Sequence, residues 1–203
     1  MECNRPVQLT ERRIPHAHYA AIGKVIDAWG DLEFEVDRVI WELMGVSQPL
    51  GACVTSQFIS VQPKFRALRA LLHLWDADDL ADQVGSFAGS MYELTELRNR
   101  TVHDKRFVLY PQEEVVRFEI TAAKKLTFTP KTETKDDLNE LVRRIREKVR
   151  LFDDLRDKIR NMRHASPDIL QQQFPSVLEA RDYKTDQRTG APVSPRPPQS
   201  SRE

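Results

Sequence analysis

The sequence predicts a mainly α-helical protein: an antiparallel bundle of four to five helices, with a small β-hairpin or meander set between the third and fourth long helices. Three observations lead there. Large apolar residues recur three or four apart over long stretches before residue 100 and again after residue 135. Between those stretches, "RFVLY", "EVVRFEI" and "KLTFT" crowd valine, phenylalanine and threonine into short runs that suit strands. Hydrophobic residues are 40% of the chain and charged residues 31%, the balance of a soluble helical protein with well-charged outer faces.

Residues 1–15 are polar and broken by Pro6 and Pro15, so they read as an N-terminal arm. The first helix runs from His16 to Met44 on a stripe of Ile22, Ile26, Trp29, Leu32, Val36, Val39 and Leu43, and Gly45 stops it. "VSQPLGA" reads as a connection, and "TSQFIS" as loop or as a short helical turn of its own. A second helix starts near Gln62, with Pro63 in its first turn and Phe65, Leu68, Leu72 and Trp75 as its stripe. "WDADDL" puts acids at the favourable end of a third helix, whose stripe is Leu80, Val84, Phe87, Met91 and Leu94. The β-insertion covers about 105–130. A last helix runs from about Lys135 to Met162 on a nearly sevenfold repeat, from Leu138, Val142 and Ile145 through Val149 and Phe152 to Leu155 and Ile159. The helical domain is thus 16–163. A short helical extension at 164–182 follows, with Ser166 as cap and Pro167 in its first turn, and then a tail at 183–203 whose composition predicts disorder.

Several function classes are set aside by composition. Lys+Arg and Asp+Glu are both 31, so any attraction to nucleic acid must come from a local patch. Cys3 and Cys53 have neither metal-ligand nor disulfide-framework spacing, and a reducing cytoplasm is the expected compartment. No run resembles a signal peptide or a membrane span. His16, His18, His73 and His164 show no paired ligand pattern, so no metal or other cofactor is expected. "RRIREKVR" at 143–150 reads as a solvated helix face, interleaved as it is with Glu140, Glu147 and Asp153, more readily than as a track for RNA. Glu33 reads as the edge of the first helix's stripe more readily than as a partner for Arg98.

The chemistry gathers in "YELTELRNRTVHDKRF", residues 92–107. Arg98 stands four places after Leu94, so it continues the apolar stripe and points toward packed protein. Its guanidinium offers a planar fork of donors for phosphate and stays charged. His103 can give and take protons near neutrality. Together they suffice to cleave RNA without a metal: the imidazole moves the 2′-hydroxyl or leaving-group proton, and the guanidinium steadies the charge of the transition state. As a bare pattern, however, Arg-x4-His recurs by chance in an arginine-rich chain, and a histidine at a helix C-terminus is also an electrostatic cap.

"LRNRTVHD" resembles the signature of the HEPN family, the higher eukaryotes and prokaryotes nucleotide-binding domain, in which an arginine, a polar residue often Asn, and a histidine follow in this order near the end of a long helix. Arg98, Asn99 and His103 match it. "AIGKVIDAWGDLEFEVDRVIWELMG" and "KFRALRALL" are similar to bacterial members, and the likeness covers roughly residues 16–160. The resemblance implies a homodimer with its motifs facing across the interface. It further implies a metal-independent endoribonuclease, serving as a toxin or in phage defence and partnered by RNA and by an antitoxin or regulatory protein. Within that reading Arg98 steadies charge, His103 is the acid/base and Asn99 positions, while Arg100, Lys105 and Arg106 contact substrate. The family also implies an alternative, a non-catalytic dimerisation module or nucleotide sensor. Asp104 departs from the usual small residue after the histidine, and the β-insertion is not universal.

Overall fold

The computed structural model describes residues 8–10, 13–110, 113–122 and 126–165. Among these stand helices α1 (His16–Met44), α2 (Gln48–Thr55), α3 (Val61–Leu74), α4 (Asp78–Ser90), α5 (Tyr92–His103) and α6 (Lys135–Ala165), with strands β1 (Gln8–Thr10), β2 (Arg106–Tyr110), β3 (Glu114–Ala122) and β4 (Leu126–Thr132). The protein is mainly helical with one small antiparallel sheet. The short helix expected at 164–182 falls, from residue 166, outside the described residues, as does the tail.

α1 buries Ala21, Val25, Ala28, Trp29, Leu32, Val36, Val39, Ile40 and Leu43. The expected stripe was misplaced at its start: Ile26 is 45% exposed, and the buried face begins on Ala21 and Val25. Gly45 takes φ 65°, and its N–H bonds the carbonyl of Glu42, which ends the helix in the left-handed cap.

The segment read as a connection contains a helix of its own. Pro49 occupies the first turn of α2, where a missing N–H costs nothing. Trp41 Nε1 donates to Thr55 Oγ1 at 3.2 Å, and the buried indole lies on Gly51. A Cβ there would overlap the ring. Because the hydrogen bond pins the indole, Gly51→Ala should cost about 1–3 kcal/mol of stability, read as a lower urea midpoint.

α3 and α4 are joined by Gln62 Nε2, which donates to the Ala88 carbonyl at 3.2 Å, and α3 meets α1 through Lys64 and Asp37 at 2.9 Å. The expected third helix is two segments. At Met91 the ladder tightens, its N–H bonding Ala88 O at 3.2 Å, while Thr95 Oγ1 donates back to Met91 O at 2.9 Å. Met91 and Leu94 are both buried, so the apolar stripe passes through the break.

A capping box starts α6: Asp137 Oδ2 accepts from the Thr134 N–H at 2.9 Å, and Asp137 N–H donates to Thr134 Oγ1 at 3.1 Å. Its buried residues include Leu138, Val142, Ile145, Phe152, Leu155 and Ile159. Phe152 packs with Phe65 and Phe87, ring centroids 6.1 and 5.5 Å away. Arg144 pairs with Glu93, Lys148 with Ser90 and Lys158 with Gln83. Those pairs run in opposite senses, so α6 lies antiparallel to α4 and α5. Arg156 with Glu35 and Arg160 with Glu42 run in the same sense along α1.

The sheet has the order β1-β2-β3-β4, all antiparallel. The insertion supplies three strands, and the fourth comes from the segment read as an arm, where Leu9 stands opposite Leu109. Register places Arg106, Val108, Val115, Arg117, Glu119 and Lys131 on one face, and Phe107, Val116, Phe118, Ile120 and Phe128 on the other.

Candidate functional site

Arg98 sits where its place in the stripe puts it. The guanidinium carbon lies 5.7 Å from the centroid of the Trp29 ring, a cation–π contact between α5 and α1. Its Nε is buried with no hydrogen-bond partner, and its Nη1 donates to Asn99 Oδ1 at 3.1 Å. The base of the side chain is therefore held in the protein while the tip leans to the neighbouring surface. Glu33 does not take this arginine; it accepts from Trp29 Nε1 at 2.9 Å, at the edge of the stripe.

Asn99 and His103 are one helical turn apart and share a face of α5, where Cβ atoms four residues apart stand about 5–6 Å from each other. The imidazole is exposed, and Asn99 is half-buried. Arg98 and His103 are separated by about 140° around the axis at 3.6 residues per turn. Within one chain, then, Arg98 and Asn99 are hydrogen-bonded, Asn99 and His103 share a face, and Arg98 and His103 leave α5 on different sides.

The remaining expected contacts divide. Lys105 is exposed, its ammonium 5.9 Å from the Phe107 ring centroid. Arg100 is partly buried and stands 3.8 Å from Asp104. Arg106 departs from the expected role. Its side chain is 7% exposed and clasps Glu133, Nε to Oε2 at 2.6 Å and Nη2 to Oε1 at 3.2 Å, so it holds the fold and offers no surface to a substrate.

Glu133 is the centre of a cluster that the sequence did not reveal. Arg117 Nη1 donates to it at 3.1 Å, and His18 Nε2 lies 2.9 Å from Oε2. Arg117 also donates to Glu119 at 2.7 Å, and its Nε is 3.5 Å from Asp104 Oδ2 without the geometry of a hydrogen bond. Burial penalises the Glu133 carboxylate, but the hydrogen bonds from Arg106 and His18 and the two guanidinium charges outweigh this and hold its pKa below the ordinary 4.5. Its partners are far away in sequence, and Arg106 and Arg117 sit at alternate strand positions that read as solvent-facing. A cleft of ≈ 320 Å³ opens beside the cluster, lined in part by Leu97, Thr101, Lys131 and Arg144. Thr101 lies about 160° around α5 from His103, so this cleft and the motif occupy different sides of the helix.

The basic run on α6 is largely engaged: Arg143 pairs with Glu140 at 2.6 Å, Arg144 with Glu93 at 3.0 Å, and Lys148 donates to Ser90. Among the described residues no helix is long and apolar enough to cross a membrane. Comparison with protein-family models, with curated proteins and with solved structures returns no match.

Proposed function

We propose that this chain is a metal-independent endoribonuclease with a HEPN-like helical bundle, acting in the cytoplasm as a homodimer and serving as a toxin or in phage defence. The observation that carries the reading is the fixed Arg98: stacked over Trp29 and bonded to Asn99, it presents a charged fork beside a face that ends in an exposed His103. In this reading a 2′-hydroxyl attacks its own phosphate, leaving a 2′,3′-cyclic phosphate and a 5′-hydroxyl. His103 transfers the protons, Arg98 steadies the phosphorane charge and Asn99 positions a phosphate oxygen. The angular separation of Arg98 and His103 around α5 supports pairing of two chains, since a second copy would bring another arginine and histidine up to the first motif.

The test is incubation of the pure protein with RNA in excess chelator. Cyclic-phosphate products from RNA, with DNA left intact for want of the 2′-hydroxyl, are the expected result. A folded, dimeric protein that cleaves no RNA would instead assign the motif to the interface of a non-catalytic module.

A further inference from the structure

The indole under Arg98 is itself held by a charged group. Trp29 is 2% exposed, and its Nε1–H donates to Glu33 Oε1 at 2.9 Å. Glu33 Oε2 lies 4.0 Å from Lys64 Nζ, and that ammonium donates to Asp37 Oδ2 at 2.9 Å. Trp29, Glu33 and Asp37 stand at four-residue intervals, so they form one row along α1. Arg98 of α5 meets the row at its first member, and Lys64 of α3 meets it at the other two. Lys64 is 6% exposed, and an ammonium so buried persists only where its charge is matched.

Among the described residues Arg98 pairs with no carboxylate; its contacts are the Trp29 ring and the Asn99 side chain. A carboxylate would take the same fork of donors that a phosphate needs. The row supplies negative charge without occupying that fork. An anion that accepts from an indole N–H pushes electron density into the ring, and the face of the ring attracts a cation through its quadrupole. Glu33 therefore acts on the guanidinium through the indole between them. Lys64, bonded to Asp37 one turn farther along α1, draws the second oxygen of Glu33 toward that end of the row. The carboxylate is thus kept off the guanidinium, whose free side is left to a ligand.

We infer that Glu33 is a positioning residue for Arg98 and acts through the Trp29 indole. This role deepens the nuclease reading, and its kinetic consequence rests on that reading. Two measurements on the full-length protein test it. The first is the side-chain Nε–H signal of Arg98 in the isotope-labelled protein, identified by its loss in Arg98→Lys. That nitrogen is buried, which shelters its proton from exchange with water. Glu33→Ala should shift and broaden the signal, whereas Glu33→Gln, which still accepts from the indole, should leave it near its place in the parent. The second is single-turnover cleavage, in excess chelator, of RNA that the parent cuts. Glu33→Ala should lower the maximal rate about 10–100-fold, as small displacements of a catalytic group do, with little change in the half-saturating RNA concentration. Glu33→Gln should regain most of that rate. In an Arg98→Ala background, Glu33→Ala should cost nothing more, because no guanidinium is left to position. If Glu33→Ala melts below the assay temperature, Trp29→Phe makes the same test, since it removes the N–H and keeps a ring. An Arg98 signal unmoved by these changes overturns the role, whether or not RNA is cut. So does a loss of rate that adds in full to that of Arg98→Ala. If the signal moves as expected and the parent cuts no RNA, the positioning role stands and the nuclease reading falls.

Discussion

Replacing His103 with alanine should lower the rate of RNA cleavage by about 10²–10⁴-fold, the usual contribution of a positioned acid/base. Stability should hardly change, because the imidazole is exposed and removing an exposed side chain outside any network shifts folding by less than about 0.5 kcal/mol. Arg98→Ala should lose about 10²–10³-fold for want of transition-state charge stabilisation, and it should also weaken the α1–α5 contact through Trp29. Arg98→Lys separates the two effects, since it retains charge but lacks the planar fork. If the two groups act on one phosphate, the double variant will be no slower than the slower single variant. Additive losses in single-turnover assays, or a His103→Ala protein as active as the parent, would exclude shared catalysis.

Glu133→Ala should damage the fold severely. It takes from Arg106 its carboxylate partner and from Arg117 one of its partners, both side chains being 7% exposed, and removing one member of such a buried ionic group costs about 3–5 kcal/mol. The pH dependence carries a definite sign. The folded-state pKa of Glu133 is depressed below 4.5, so its stabilisation is full above that pH and is lost as pH falls through the lower folded value. Urea midpoints of the parent and of Glu133→Gln should therefore differ most at neutral pH and converge below 4.5. A gap that stays constant through acid would mean that the carboxylate charge is not what holds Arg106 and Arg117.

What was legible in the sequence follows from which interactions are local. The long helices were readable because stripes such as Leu138, Val142 and Ile145 repeat at fixed spacing. The bounds of α1 were legible, but the start of its stripe was set one residue late, because Ala21 and Ala28 bury little apolar area and two isoleucines outweighed them. Proline and glycine hid α2, although Pro49 sits in a first turn and Gly51 serves the Trp41 ring. The inward placement of Arg98 was legible because it prolongs a stripe, a signal of period alone. The Glu133 cluster joins His18 to Arg106 and Arg117 through contacts that no local spacing encodes. Arg106 was consequently given to the substrate when its charge is spent inside. β1, at three residues, is too short for any period to show.

That short strand has a kinetic corollary. Leu9 cannot find Leu109 until nearly all the intervening helices have condensed, because closing so long a loop is entropically slow and only the finished hairpin of β2 and β3 offers an edge to join. β1 should consequently be the last element to acquire protection in pulse-labelled hydrogen exchange and the first to lose it. A chain shortened past Thr10 would leave the outer row of β2 backbone groups without partners, and other molecules could then add to that edge as they would to a growing fibril.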